Sequence, residues 1–283
     1  MWRELEDFVD LIFSQLATPK NIVRKIYRFF VGRHISQEIE DDIITPLAIT
    51  MKNNQFKISP IVKELLKSEH FYDLDDSVAT DETIGNMLKS PFDILAQTIS
   101  FFNIDIPNYL TDTYNHYHRW YRLTVQDVIT TMAGMTIFSP DSVAGYPAHY
   151  QEPDFSRNWF NGSTLIARYK QPEILLTGNR VLASGSNGGI QLDIVKFVET
   201  SGVCTDPYNA ETLVNDFLHY LLPETAHPDR AQYYLLTFLD GLEPINWEFE
   251  WTNYVSTGDS SAVKIPLETL FKLVISSQEY GLK

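Results

Sequence analysis

The 283-residue chain contains one cysteine, Cys204, so it can build no internal disulfide and no thiolate metal cluster. That scarcity fits a reducing compartment and equally an exported protein without bridges. No run of about 18 apolar residues occurs anywhere, which excludes a membrane-spanning helix. The opening stretch, Met1 to Thr18, lacks the basic start and unbroken apolar core of an export signal, because Glu4, Glu6, Asp7 and Asp10 interrupt it. Positive charge is also short: 22 Lys and Arg face 37 Asp and Glu, for a net charge of −15. With no clustered basic run to reverse that sign locally, the surface repels phosphate backbones, and nucleic acid is not expected as a partner.

The familiar catalytic signatures are missing too. There is no His-Glu-x-x-His and no Gly-x-Ser-x-Gly. His116 and His118 lie two residues apart, which on a helix points them to different faces. The acidic run Asp73, Asp75, Asp76, Asp81 and Glu82 fails as a calcium loop, since Val78 stands where the sharp turn needs Gly and Ile84 where the last ligand belongs. Gly185-Ser186-Asn187-Gly188-Gly189 lacks the Lys and Ser/Thr of a phosphate loop and reads as a linker. Cys204 has no His partner visible in the sequence and reads as structural. Neither a metal nor a cofactor is expected.

What the chain does have is core material, 44% hydrophobic residues, arranged with helical spacing. Trp2, Leu5, Phe8, Val9, Ile12 and Phe13 mark a first amphipathic helix. Thr18-Pro19, Ser59-Pro60 and Ser90-Pro91 each start another, followed by apolar stripes such as Ile61, Val62, Leu65 and Leu66. Helices are also expected over 39–51 and 125–135, through Leu165, Ile166 and Tyr169 behind an Asn161 cap, and over 190–198. From Ser139-Pro140 to Tyr146-Pro147 the Pro and Gly density breaks both periodicities and predicts an irregular loop. The aromatic run Tyr114, His116, Tyr117, His118, Trp120 and Tyr121 reads as packing between helices. Trp247, Phe249, Trp251, Tyr254 and Val255 show partial alternation, which predicts a minor strand pair near 245–256 or an ordered aromatic loop.

An internal echo runs through the chain. Thr18-Pro19-Lys20-Asn21 before an apolar helix matches Asp206-Pro207-Tyr208-Asn209 before Leu213 and Phe217, and Leu65 to Phe71 matches Val274 to Tyr280. The expectation is a mainly α, multi-helix orthogonal bundle with a duplicated helical unit and a long irregular central loop. Its parts are an N-terminal helical unit (1–135), a central loop and helix segment (136–189) and a C-terminal helical unit (190–283), packed as one domain.

Several motifs together resemble the bacterial family called domain of unknown function 1800. They are Arg24-Lys25-Ile26-Tyr27-Arg28-Phe29-Phe30-Val31, Ser68-Glu69-His70-Phe71 and Lys89-Ser90-Pro91, then Phe138-Ser139-Pro140-Asp141-Ser142-Val143-Ala144-Gly145-Tyr146-Pro147, Trp159-Phe160-Asn161 and Leu165-Ile166-Ala167-Arg168. Tyr146 stands where that family more often has Trp, and Asp141 where it often has Asn. The resemblance runs from about Thr18 to the end and corresponds to the C-terminal part of longer family members. It implies a mostly helical structure and an exported or cell-envelope bacterial protein, and it implies no established activity.

Within this frame the segment from Pro140 to Arg168 is the best place for a ligand, because a loop held between helices presents backbone groups and aromatics together. Tyr146 and Trp159 would stack on a sugar or peptide, and Arg168 would pair with a carboxylate or phosphate beside Asn161. The structural alternative is that Asn161 caps a helix, the aromatics fill the core and Arg168 bonds to loop carbonyls. Two function classes follow. One is a helical interaction or scaffold fragment of a larger bacterial protein, with a protein partner or the absent N-terminal part of the same polypeptide. The other is the substrate-binding part of a hydrolase-like enzyme whose catalytic residues lie largely outside this chain.

Overall fold

A computed structural model describes residues 2–74, 83–132, 135–140, 142–146, 152, 154–178 and 188–283. The fold is mainly α, and it divides into two compact units: residues 1–87 with 149–155, and residues 88–148 with 156–283. The break in packing between the two units lies at 87/88. Most of the acidic run (75–82) and most of the Gly/Ser connection (184–187) lie outside the described residues.

The first unit begins with α1 (Trp2–Ser14) and α2 (Ala17–Phe30). A short turn of helix, α3 (Gln37–Ile39), then leads through a wider π-helical stretch, Glu40–Ile44, into α4 (Thr45–Asn53). After α5 (Ile58–Leu65) the chain makes a 3-10 turn, His70–Tyr72. Val23 and Tyr27, one turn apart on α2, meet Ile44, Leu47, Ala48 and Met51 from the second helical run and Ile61 and Leu65 from α5. Arg24 of α2 donates from Nε and Nη2 to the two Glu40 carboxylate oxygens, at 2.8 and 2.7 Å, a geometry available only to a planar guanidinium. By contrast α1 leaves Leu5, Phe8 and Leu11 more than half exposed, while its Phe13 packs edge-on against Phe56 at 4.6 Å.

The second unit contains α6 (Pro91–Phe101), α7 (Thr113–Asn115), a π-helical stretch His116–Met132, α8 (Gly162–Thr177) and α9 (Ile194–Thr200). It closes with α10 (Ala210–Leu221), α11 (Pro228–Leu239), α12 (Pro244–Thr257), α13 (Ser261–Ile275) and a 3-10 turn, Glu279–Gly281. Helix α13 is its axis and packs against each of α8 through α12. Val263, Leu267, Leu270, Phe271 and Val274 follow the three- and four-residue rhythm of a helix surrounded on most sides, and all are buried.

The strand pair expected near 245–256 is not there. Those residues form α12, which starts with Pro244 at its first position and ends on Gly258, whose φ of +77° closes the last turn. Trp247 and Trp251, four apart, are buried, while Phe249 between them is 68% exposed, so the spacing that resembled alternation is one face of a helix. The central region holds a helix behind the Asn161 cap, as the sequence suggested. A 3-10 turn, Phe155–Trp159, and the sixteen residues of α8 occupy most of its described part, leaving 135–140 and 142–146 as turns and irregular chain.

One half of the internal echo is visible as geometry. Ser68 follows α5 and its Oγ accepts from the Phe71 amide at 3.2 Å; Ser277 follows α13 and its Oγ accepts from the Tyr280 amide at 3.1 Å. Both helices therefore end in the same serine-stabilised 3-10 turn.

Candidate functional site

The four residues singled out in the sequence lie in the second unit. Asn161 is the N-cap of α8: its Oδ1 accepts from the Ser163 and Thr164 amides at 3.1 Å, and Thr164 Oγ1 accepts from the Asn161 amide at 3.0 Å. This reciprocal cap satisfies the first free amides of the helix and is worth about 1 kcal/mol. The same Thr164 hydroxyl donates to the Trp159 carbonyl at 2.7 Å, which ties the preceding turn to the helix. Trp159 is buried, its ring centroid 5.9 Å from that of Tyr146, and the Tyr146 hydroxyl donates to the Thr136 carbonyl.

Arg168 sits one turn beyond Thr164 on the same face of α8. Its Nη2 donates to the Lys89 carbonyl at 2.6 Å and reaches the Trp159 carbonyl at 3.5 Å. Its Nε and Nη1 are buried and meet no acceptor among the described residues. Burial pulls the guanidinium down to about 10, with the Asp93 charge opposing the shift. An arginine carries five N–H groups, and leaving buried ones unpaired is costly.

Lys89 supplies more than a carbonyl. It directly precedes α6, whose cap is built by Ser90 and Asp93, and its side chain is 6% exposed. Its amide donates to the Gly281 carbonyl at 2.8 Å; its Nζ donates to the Tyr280 carbonyl at 2.7 Å and lies 4.4 Å from the Tyr280 ring centroid. Burial pulls this ammonium down to about 8; Asp93 opposes the shift, while Lys283 and Arg168 reinforce it. Lys283 closes the cluster with Nζ 2.7 Å from Asp93 Oδ2. Leu88 and Leu282 form an isolated antiparallel bridge, so the 3-10 turn after α13 is stitched to the start of α6.

Two cavities flank this bridge. One, of about 310 Å³, has walls of Leu88, Phe160, Leu165, Ile275 and Leu282, with Arg168, Ser276 and Ser277 among its polar lining and no Asp or Glu. Gly281 also lines it, and a Cβ added there would stand 3.8 Å from Arg168 Nη1. The other, of about 430 Å³, is lined by Lys89, Asp93, Tyr220 and Lys283.

A family model described as "Protein of unknown function (DUF1800)" matches residues 1–282. The chain belongs to this family. The match takes in α1 as well as the segment after Thr18, and so spans both units of this DUF1800 chain. No curated protein and no solved structure matches it.

Of the residues expected to bind, only Arg168 lines the apolar cavity of this family member. Trp159 contributes its backbone carbonyl to Arg168, Asn161 caps, and Tyr146 packs on Trp159. Sequence reasoning missed Lys89, Gly281 and Leu282 as site residues. Lys89 did fall in a quoted motif, Lys89-Ser90-Pro91, and a lysine directly before a helix cap is a signal worth following. Elsewhere, His116 Nδ1 lies 2.7 Å from the Pro107 carbonyl, while His118 stacks on Tyr114 at 5.3 Å. Among the described residues, no group of three His, Cys, Asp or Glu is placed to hold a metal ion. Arg119 donates to the Gly188 and Gly189 carbonyls at 2.9 and 3.1 Å, anchoring the described end of the Gly-rich connection.

Proposed function

We propose that this DUF1800 chain is a helical binding module whose second unit takes a small ligand in the cavity beside Arg168. The observation that carries this reading is Arg168 in the lining of a mostly apolar cavity, with two buried nitrogens, Nε and Nη1, that meet no acceptor among the described residues. Buried polar groups in folded proteins are normally satisfied, and an arginine left short of acceptors at a cavity is a group awaiting one. The cap at Asn161 and the bond to the Lys89 carbonyl hold the side chain in place before any ligand arrives, which lowers the ordering cost of binding.

The test is a small-molecule screen by thermal shift on the whole chain, followed by methyl NMR with labelled isoleucine. Ligands of the cavity move the Ile275 signal and leave Ile61, in the first unit, unchanged. A screen without binders, or binders that leave Ile275 unmoved, refutes the reading.

A second reading, an interaction domain, draws on α1. Its apolar residues Leu5, Phe8 and Ile12 lie in solvent, and apolar faces of this kind mark contact surfaces for a protein or for another part of the same polypeptide. Nucleic acid is not proposed for either site, given the net charge of −15. No described helix is long and apolar enough to cross a membrane. Sedimentation of the whole chain would show self-association that Phe8→Glu abolishes while leaving unfolding unchanged if α1 is a docking helix for a second copy; a monomer at all concentrations, or association unaltered by Phe8→Glu, would sink this second reading.

A further inference from the structure

Resting on the reading of the cavity as a ligand site, we infer that its ligand is an amphipathic monocarboxylate, seated with its charge on Arg168 and its hydrocarbon body among Leu165, Ile275 and Leu282. The sign of the charge comes from the surroundings. Arg168, Lys89 and Lys283 gather around a single carboxylate, Asp93, and that carboxylate is already engaged by the Lys283 ammonium at 2.7 Å and the Ser90 amide at 3.0 Å. Asp93 lines the other cavity, where it pairs with Lys283, and acts on Arg168 only through its charge. A net −15 chain therefore holds a local excess of positive charge beside this cavity, and an anion is what complements it.

The charge number follows from the donors. The Lys89 ammonium is turned to the Tyr280 carbonyl and its ring and does not line this cavity, which leaves Arg168 as the charged residue in a lining whose other polar groups, Tyr169, Ser276, Ser277 and Gln278, are neutral. One guanidinium matches one carboxylate, while a phosphate dianion needs a second cation or a nest of amides. The body of the ligand follows from the walls, which are leucine, isoleucine and phenylalanine side chains without an acid. A volume of about 310 Å³ sits at the small end of ligand cavities, the size of a medium-chain or aryl acid.

Isothermal titration of the whole chain with octanoate, octanol and inorganic phosphate tests this. Octanoate is expected to bind roughly tenfold more tightly than octanol, the worth of a charge-assisted hydrogen bond, and the advantage is expected to vanish in Arg168→Met. Should that variant not fold, Gly281→Ala, which sets a methyl group in ordinary contact with Nη1, replaces it and is expected to weaken octanoate several-fold. Equal binding of octanoate and octanol at Ile275 overturns the carboxylate and leaves the cavity reading intact. Phosphate binding alone overturns the amphipathic ligand. If none of the three binds and the screen also finds nothing, both readings fall together.

Discussion

Arg168 reaches across 79 residues of sequence to set its Nη2 2.6 Å from the carbonyl oxygen of Lys89, and the same geometry leaves its Nε and Nη1 buried without an acceptor among the described residues. The contact joins α8 to the start of α6 and at the same time fixes the charged residue of the cavity lining.

Replacing Arg168 with Met separates those two effects. The side chain keeps most of its stem but loses the bonds to the Lys89 and Trp159 carbonyls, while the cost of burying a guanidinium disappears. The opposing contributions predict a loss of about 1–2 kcal/mol in urea unfolding. A loss above about 4 kcal/mol would show that Arg168 is mainly a structural clamp.

The buried Lys89 ammonium predicts an unusual dependence of stability on pH. Its folded value of about 8 lies below the ordinary 10.5, so between those limits the unfolded chain holds a proton that the folded chain has released. Stability therefore rises as pH climbs from about 8 to 10.5, by an amount on the order of 3 kcal/mol at most. Tyr280, pushed up to about 12 by its burial, acts oppositely above pH 10, where the folded chain keeps the proton and stability falls. Guanidinium unfolding at pH 7, 8, 9 and 10 reads the rise, and Lys89→Met should flatten it. Parallel curves for the two proteins would remove Lys89 as its source.

Much of the fold was legible because the signals that set it are local. Pro at helix starts, the Asn161 cap and the apolar stripes of α5 and α10 are written within a few residues of the elements they specify, whereas the Ile166 and Tyr169 stripe of α8 lies exposed and its buried face is Ala167, Ile174 and Leu175. The region 245–256 misled because aromatics at positions 247, 249 and 251 satisfy a period of two while also placing 247 and 251 one helical turn apart. Pro244 and Gly258 at the ends of the segment were the deciding signals. The site was legible only in part. Arg168 stood out through its motif, but its partners come from Lys89 and from residues 275–282, and no periodicity links positions that far apart in the chain.

The α12 assignment makes its own prediction. Trp251 is buried and stacks near Trp247, whose indole donates to the Pro207 carbonyl at 2.9 Å; Phe249 lies on the solvent face. Trp251→Ala should cost about 3–5 kcal/mol, and Phe249→Ala no more than about 0.5. Comparable costs at both positions would contradict a helix with one buried face.

Cys204 offers a probe of global unfolding. The thiol is buried and pushed up to about 12, first by its burial and then by the nearby Asp216 charge. Thiolate is the reactive form, so alkylation by iodoacetamide at pH 8 should be slow in native protein and fast in denaturant. Rapid labelling of the native chain would show that this part of the core opens readily.

The most direct test of the binding site is a crystal of the chain soaked with 8-bromooctanoate, with the bromine located by its anomalous signal. The account predicts a carboxylate on Arg168 and a bromine peak in the cavity walled by Leu165, Ile275 and Leu282. An empty cavity at saturating ligand, or bromine bound only elsewhere, would contradict it.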